Sequence, residues 1–283
     1  MPVAAISGRP WGEPPPSTPL RWSDPAIGGA EVPPPYLLTT AVFDGTEPNG
    51  AARPGVHTHT DALLVWPHSG SMTLWTPATV RRLVPGQGVW VPPGTPHAAA
   101  SDPGSVACYT YVTRSAAPRD WSAPRALRVG RALQEMLLHL DATAMDDDLR
   151  LRTQRVVLEH LQDDPLPALD VPVPEDWRIR SLAHDVLGDP DSDLSLEDLA
   201  ARHGLSVRTV TRAFAQDIGM PFTRWRALVR MSAAITLLSQ GQPVNLVAHR
   251  CGYSTTSAFS AAFRRVIGSS PTEYLRALPA SAS

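Results

Sequence analysis

The stretch Ser195–Gly219, SLEDLAARHGLSVRTVTRAFAQDIG, and the stretch Pro243–Gly268, PVNLVAHRCGYSTTSAFSAAFRRVIG, fill one frame twice. Phe222–Gln240, FTRWRALVRMSAAITLLSQ, joins them. In the first frame Leu199-Ala200 precede Gly204-Leu205-Ser206, and Phe214 and Gly219 follow. In the second, Val247-Ala248 precede Gly252-Tyr253-Ser254, and Phe263 and Gly268 follow, with the frame one residue longer. Glycine at the end of a helix takes the left-handed turn that other residues resist. A serine two residues on, Ser206 or Ser254, is placed to cap the next helix through its side-chain oxygen. Leu199, Val210 and Phe214, like Val247, Phe259 and Phe263, recur at helical spacing and face a small core. Each frame therefore reads as a helix–turn–helix, and Phe222–Gln240 as one helix with Leu228, Met231, Ile235 and Leu238 on its apolar side.

What remains outward on each second helix is short and polar or basic. In the first unit it is Arg208, Thr211 and Arg212; in the second it is Thr256, Ser257, Ser260, Arg264 and Arg265. The two frames, together with the ending GSSPTEYLRA at Gly268–Ala277, resemble the AraC/XylS family of transcription regulators. The resemblance covers about the last third of the chain. It implies a sequence-specific DNA-binding regulator of transcription with double-stranded DNA as partner, and RNA polymerase as a further partner in an activator. In a helix–turn–helix the second helix lies in the major groove, and its first turns reach base edges. Arg208 and Arg212 lie four apart on one face, and an arginine makes a bidentate contact to guanine. Thr211 can meet a thymine methyl. Ala261 stands where some family members carry arginine, so weaker base reading is expected of the second unit, with Arg264 and Arg265 on phosphate. The joining helix is expected to hold the two reading helices about one DNA turn, ~34 Å, apart.

Charge supports this placement. Net charge is −2, but residues 1–174 carry 13 basic and 17 acidic side chains, whereas residues 195–278 carry 10 basic and 4 acidic. Positive charge is gathered on the segment that would meet phosphate. All 25 basic residues are arginine, which reads as compositional bias.

Upstream, residues 1–35 are rich in proline and glycine and read as a poorly ordered arm. Residues 36–115 change texture: short runs rich in Val, Leu, Tyr, Trp and Thr alternate with Gly/Pro turns, as in a small β-sandwich or barrel. His57-Thr58-His59, with Gly70 eleven residues on, and GQGVWVPPGTPH at Gly86–His97 resemble the two signatures of cupins, double-sheet jelly-roll barrels. Gly86, Pro92, Gly94 and His97 match the second signature, while the acidic residue usual in the first is Leu63 here. Residues two apart on a strand share a face, so His57 and His59 point the same way, and a neighbouring strand can bring His97 to them. Three imidazoles of this kind make a facial site for a divalent metal, Zn or Fe. The other reading is a metal-free pocket whose histidines bind each other or an organic effector. Trp66, Trp75 and Trp90 are the candidate wall of an effector pocket, with plain core packing as their alternative. His68 reads as a turn residue.

Residues 116–162 read as two amphipathic helices. Arg125–Leu140 carries Leu127, Leu133, Met136, Leu137 and Leu140 on one face; Asp146–Leu161 carries Leu149, Val156, Val157 and Leu161. They serve either as a homodimer contact or as packing on the barrel. Residues 163–176, with four prolines and five acids, read as a stiff linker. The DNA-binding domain spans residues 177–283 and opens on a helix ending at Gly188. Asp198 is placed as capping-box partner of Ser195.

The expected architecture is α+β in two domains: a cupin-like N-terminal barrel followed by amphipathic helices, and an all-α C-terminal double helix–turn–helix. The expected mechanism is a population shift in which a small-molecule or metal effector selects the arrangement that presents the DNA units. No catalytic residues are expected. A cupin-type metalloenzyme with an accessory DNA-binding domain is the alternative kept open by the histidines; a constitutive architectural protein is the third. The first residues contain no continuous apolar core, apolar runs are too short to span a bilayer, and the two cysteines lie far apart, so no membrane partner and a cytoplasmic location are expected.

Overall fold

The computed structural model describes residues 32–44, 55–162 and 169–277. Residues 1–31 of the expected arm and 163–168 of the expected linker lie outside the described residues. The chain divides into two compact units.

The N-terminal unit consists of antiparallel sheets followed by two helices. Its strands are β1 (Leu38–Asp44), β2 (Ala62–Ser69), β3 (Met72–Trp75), the end of β4 (Thr79–Leu83) from Arg82 on, β5 (Gln87–Val91), β6 (Ala98–Ser101), β7 (Val106–Val112) and β8 (Arg125–Arg128). Among the described residues one sheet has the order β1-β7-β2-β5-β8, and a second contains β6-β3-β4. This is the double-sheet architecture expected, in open rather than closed form. Leu63, Val65, Val89, Val91 and Tyr111 of the first sheet meet Met72, Leu74, Leu83 and Ala99 of the second in one buried cluster. The alternate residues of the same strands, Leu64, Trp66 and Trp90, point to the other face of the first sheet. There they pack with Leu133, Leu137 and Leu140 of α1 (Arg131–Ala142) and Val157, Leu158 and Leu161 of α2 (Asp147–Gln162). The two helices thus cover the outer face of a sheet with Leu133, Leu137 and Leu140 of α1 and Val157, Leu158 and Leu161 of α2, whereas Leu149 and Val156 of the expected α2 face are exposed.

The helix expected from Arg125 begins only at Arg131, because Arg125–Arg128 pairs as β8 with Gln87–Trp90. Ala126 and Leu127 are buried between exposed Arg125 and half-buried Arg128, a short apolar pair that fits a strand as well as a helix. Gly88 decides the matter sterically: a Cβ there would stand 2.6 Å from Val129, so only glycine lets this segment lie against β5.

The C-terminal unit is helical: α3 (Trp177–Gly188), α4 (Leu196–Arg202), α5 (Val207–Ala213) with a π-helical turn (Phe214–Ile218), α6 (Phe222–Ser239), α7 (Val244–Arg250), α8 (Thr256–Ile267) and α9 (Pro271–Ala277). Phe214, Phe222 and Trp225 pack edge and tilt at ring-centroid distances of 5.2–5.9 Å. Phe259 stands 5.6 Å from both Tyr253 and Phe263. Pro77–Arg81 groups with this unit, where Thr79 and Val80 pair with Pro172 and Val171 of β9 (Val171–Pro172). The described part of the expected linker is therefore a packed strand: Val171 is buried, and the Pro172 carbonyl accepts the Trp225 indole N–H at 2.7 Å. Proline is tolerated there because β9 lies at the edge of its sheet. Among the described residues no helix is long and apolar enough to cross a membrane.

Candidate functional site

The C-terminal unit builds the doubled frame from its caps. Ser195 and Asp198 form the expected capping box of α4. Ser206 caps α5, its side chain accepting from the Thr209 backbone N–H at 3.1 Å. In the second unit the cap is Thr255, accepting from Ala258 N–H at 3.2 Å, and not Ser254. The extra residue of the second frame thus lies in the turn. Counted from Ser206 and Thr255, Val210 falls on Phe259, Phe214 on Phe263 and Gly219 on Gly268. The same register sets Arg208 on Ser257, Thr211 on Ser260 and Arg212 on Ala261. Arg208, Thr211, Arg212, Thr256, Ser257, Arg264 and Arg265 are exposed and Ser260 is half-buried, while the positions between them, Val210, Ala213, Phe259, Ala262 and Phe263, are buried. Each second helix therefore presents its predicted residues on the face away from its core. Arg264 is engaged there by Glu273 at 3.4 Å, and Glu273 also accepts from the Ser270 backbone N–H in front of α9.

Other arginines of this unit are committed to structure. Arg226 of α6 donates to the carbonyls of Leu194, at 2.6 Å, and Ser192. Arg230 donates to those of Pro190 and Ser192, each at 3.2 Å. The loop between α3 and α4 is thereby tied to the joining helix. Asp217, in the π-helical turn after α5, accepts the backbone N–H groups of Glu175 and Asp176 at 2.8 and 3.1 Å. Sequence reading missed Asp217, because only the fold brings residues about forty apart together.

In the N-terminal unit His57, His59 and His97 come together, with one ring nitrogen from each within 4.8 Å of the others. His57 and His97 form an isolated antiparallel bridge, exchanging backbone N–H···O bonds of 3.0 Å, and His59 O accepts Gly94 N–H at 2.8 Å. Thr58 is exposed and His59 buried, so the two-residue spacing acts as expected although the segment is not a regular strand. The Nδ1–H groups of His57 and His97 donate to the carbonyls of Gly55, at 2.8 Å, and Thr95, at 2.9 Å. A carbonyl only accepts, so the proton sits on Nδ1 and the lone pair on Nε2. His97 Nε2 is buried with no hydrogen-bond partner among the described residues, and His57 Nε2 stands 3.2 Å from His59 Nε2. Burial, followed by the neighbouring imidazoles, pushes His59 down to about 2. Burial pushes His97 down to about 4 and also lowers His57. All three are neutral near pH 7, the form in which imidazole ligates, and carbonyl-bound Nδ1–H is the usual support of a metal-bound histidine. The residues fit a three-nitrogen metal site. Tyr111, which sequence reading missed, sets its ring edge against His59 at 5.4 Å, and burial pushes its phenol up to about 12. The alternation of VACYTYV carried that signal.

The three tryptophans do not line this interior. Trp66 and Trp90 are buried on the opposite face of the first sheet, under the helices, and half-exposed Trp75 points away from the cluster containing Met72 and Leu74. The two-residue period of a strand puts them there, and it overrides the attraction of an aromatic pocket wall. His68, expected as a turn residue, instead lies in β2, one residue before its end at Ser69, and is not part of the histidine cluster.

A family model described as a helix-turn-helix domain matches residues 199–277. The chain carries an AraC-type helix-turn-helix domain. The match spans both registered frames and α9. The chain is 25% identical over 226 residues to the HTH-type transcriptional regulator NimR of Escherichia coli (strain K12), covering 79% of this chain and 82% of that one. It is 29% identical over 220 residues to the HTH-type transcriptional regulator RipA of Corynebacterium glutamicum, covering 75% of this chain and 61% of that one. Among solved structures, the DNA-binding domain of AdpA in complex with a target DNA matches 35% of this chain and 91% of its own, at 33% identity and a TM-score of 0.34. The AraC-type domain thus has relatives named as transcriptional regulators.

Proposed function

We propose that this chain is a sequence-specific DNA-binding regulator of transcription that reads DNA mainly through α5. The observation that carries the reading is the register of the two frames. Measured from their caps, both second helices bury the same offsets, and Arg208 and Arg212 are exposed at the offsets of exposed Ser257 and Ala261, within a segment that matches a helix-turn-helix domain. In this reading Arg208 and Arg212 contact guanine edges and Thr211 a neighbouring base. Thr256, Ser257 and Ser260 make shorter contacts from α8, and Arg265, with Arg264 once it leaves Glu273, meets phosphate. The position of α8 that corresponds to Arg212 is Ala261, so sequence preference comes chiefly from the first unit. Selection of duplexes from a randomised pool by the full-length chain, repeated with Arg212→Ala, tests this. An unchanged selected sequence would remove the assignment.

The N-terminal unit is the sensor in this reading. His57, His59 and His97 would hold a divalent metal such as Zn or Fe, which supplies a Lewis-acidic centre for the oxygen or nitrogen of an effector. The support is the matched set of Nδ1–carbonyl bonds and the neutral state of all three rings. Elemental analysis of the purified chain, beside a His57→Ala, His97→Ala variant, distinguishes this from a site taken by an organic effector alone. The exposed side chains of Leu149 and Val156, seven apart on α2, support that helix as the contact of a homodimer.

A further inference from the structure

We propose that Asp217 is a positioning residue for DNA reading, holding the C-terminal end of the reading helix to the chain segment Asp170–Asp176. This rests on the assignment of α5 as the reading helix. The segment is tied at both ends and in its middle. Asp170 forms an ion pair with Arg81, its Oδ1 accepting from the arginine Nε at 2.5 Å. Val171 and Pro172 pair with Val80 and Thr79, and Pro172 O accepts the indole N–H of Trp225 on α6 at 2.7 Å. Then Glu175 and Asp176 turn their backbone N–H groups onto the Asp217 carboxylate. Asp176 is itself the N-cap of α3, accepting from Arg178 N–H at 3.0 Å.

Asp217 sits in a special place. The helix that begins at Ser206 does not end as α-helix but runs through a π-helical turn, Phe214–Ile218, before Gly219 reverses the chain at φ 73°. A π turn spends one extra residue and is less favourable than α, so it persists where outside contacts hold it. Phe214 supplies one contact inward, against Phe222 and Trp225. Asp217 supplies the other, outward, to a different part of the chain. The corresponding helix of the second unit, α8, runs as α-helix to Ile267 and needs no such tether. Arg212 lies five residues before Asp217, on the same continuous helix. The direction of its side chain therefore follows the turn that Asp217 anchors.

The test uses the full-length chain and a randomised duplex pool. Arg212→Ala first defines the part of the selected site that α5 reads. Asp217→Ala is then expected to broaden base preference in that part and to weaken binding by about fivefold, the lower end of ordinary coupling between sites. The other part of the site is expected to keep its preference, and the chain is expected to remain folded at the temperature of the selection. Asp217→Asn, which keeps one accepting oxygen, is expected to recover much of the loss. Unchanged selection by Asp217→Ala, or equal weakening in both parts of the site, overturns the proposal while leaving the reading helix in place. A wild-type chain that selects no sequence, or Arg212→Ala that changes nothing, removes the reading helix itself and the positioning role with it.

Discussion

Replacing Gly252 by alanine is expected to destabilise the C-terminal unit far more than the same change at Gly204, although the two glycines occupy the same position in the doubled frame. Both adopt the left-handed backbone, at φ 74° and 66°. An L side chain in that region costs about 1–2 kcal/mol. Around Gly204 an added Cβ meets nothing within 4 Å, so the cost ends there. At Gly252 the Cβ would stand 2.8 Å from Nη2 and 2.9 Å from Cζ of Arg230. That guanidinium is tethered, donating to Pro190 O and Ser192 O. Moving it aside gives up at least one hydrogen bond from a charged group, about 1.5–3 kcal/mol. The total for Gly252→Ala is then about 2.5–5 kcal/mol, against about 1–2 for Gly204→Ala. Urea unfolding followed by far-UV circular dichroism measures both. The decisive control is the Arg230→Ala background, where the two glycine substitutions should become equal. Equal costs in the native background, or a difference that survives removal of Arg230, would refute the steric account.

Arg212→Ala should weaken binding to the selected duplex by about 1–3 kcal/mol and relax preference at one base pair, read by fluorescence anisotropy against single-base variants; a uniform loss at every position would mark a phosphate contact instead. Added Zn at one hundred times its dissociation constant should raise the stability of the N-terminal unit by about 2.7 kcal/mol, and His97→Ala should abolish the shift; the same shift in both chains would place the metal elsewhere. Leu149→Glu with Val156→Glu should convert a dimer to monomer in sedimentation equilibrium, and a native chain that is monomeric at every concentration would refute the α2 contact.

The histidine cluster shows how far local spacing carries. A two-residue interval predicts that His57 and His59 share a side, and a turn-rich segment ending in His97 predicts the third histidine of the cluster. The direction of the ring protons was not legible, because the carbonyls of Gly55 and Thr95 are set by loop geometry. The tryptophans show the converse. Residue type suggested a pocket wall, whereas strand parity sends Trp66 and Trp90 under the helices, and parity can be used only once the strand and its two faces are known. At Arg125–Arg128 the apolar spacing fits either period, and the contest is settled by pairing with β5, a contact between residues about forty apart.

The chain's own sequence determined that its last third is two helix–turn–helix units in one frame, since caps, glycine turns and apolar spacing are all local and each is repeated. It also determined which residues those helices leave outward, because the buried positions of a short helix exclude the rest. Only the tertiary structure decided that the extra residue of the second unit lies in the turn and makes Thr255 the cap. The same holds for the proline-rich stretch that packs as β9 and for Asp217, which receives Glu175 and Asp176. The physical reason is common to all three. Each depends on a backbone hydrogen bond or a packed side chain whose partner the chain supplies only after folding, and no local period encodes where that partner will be.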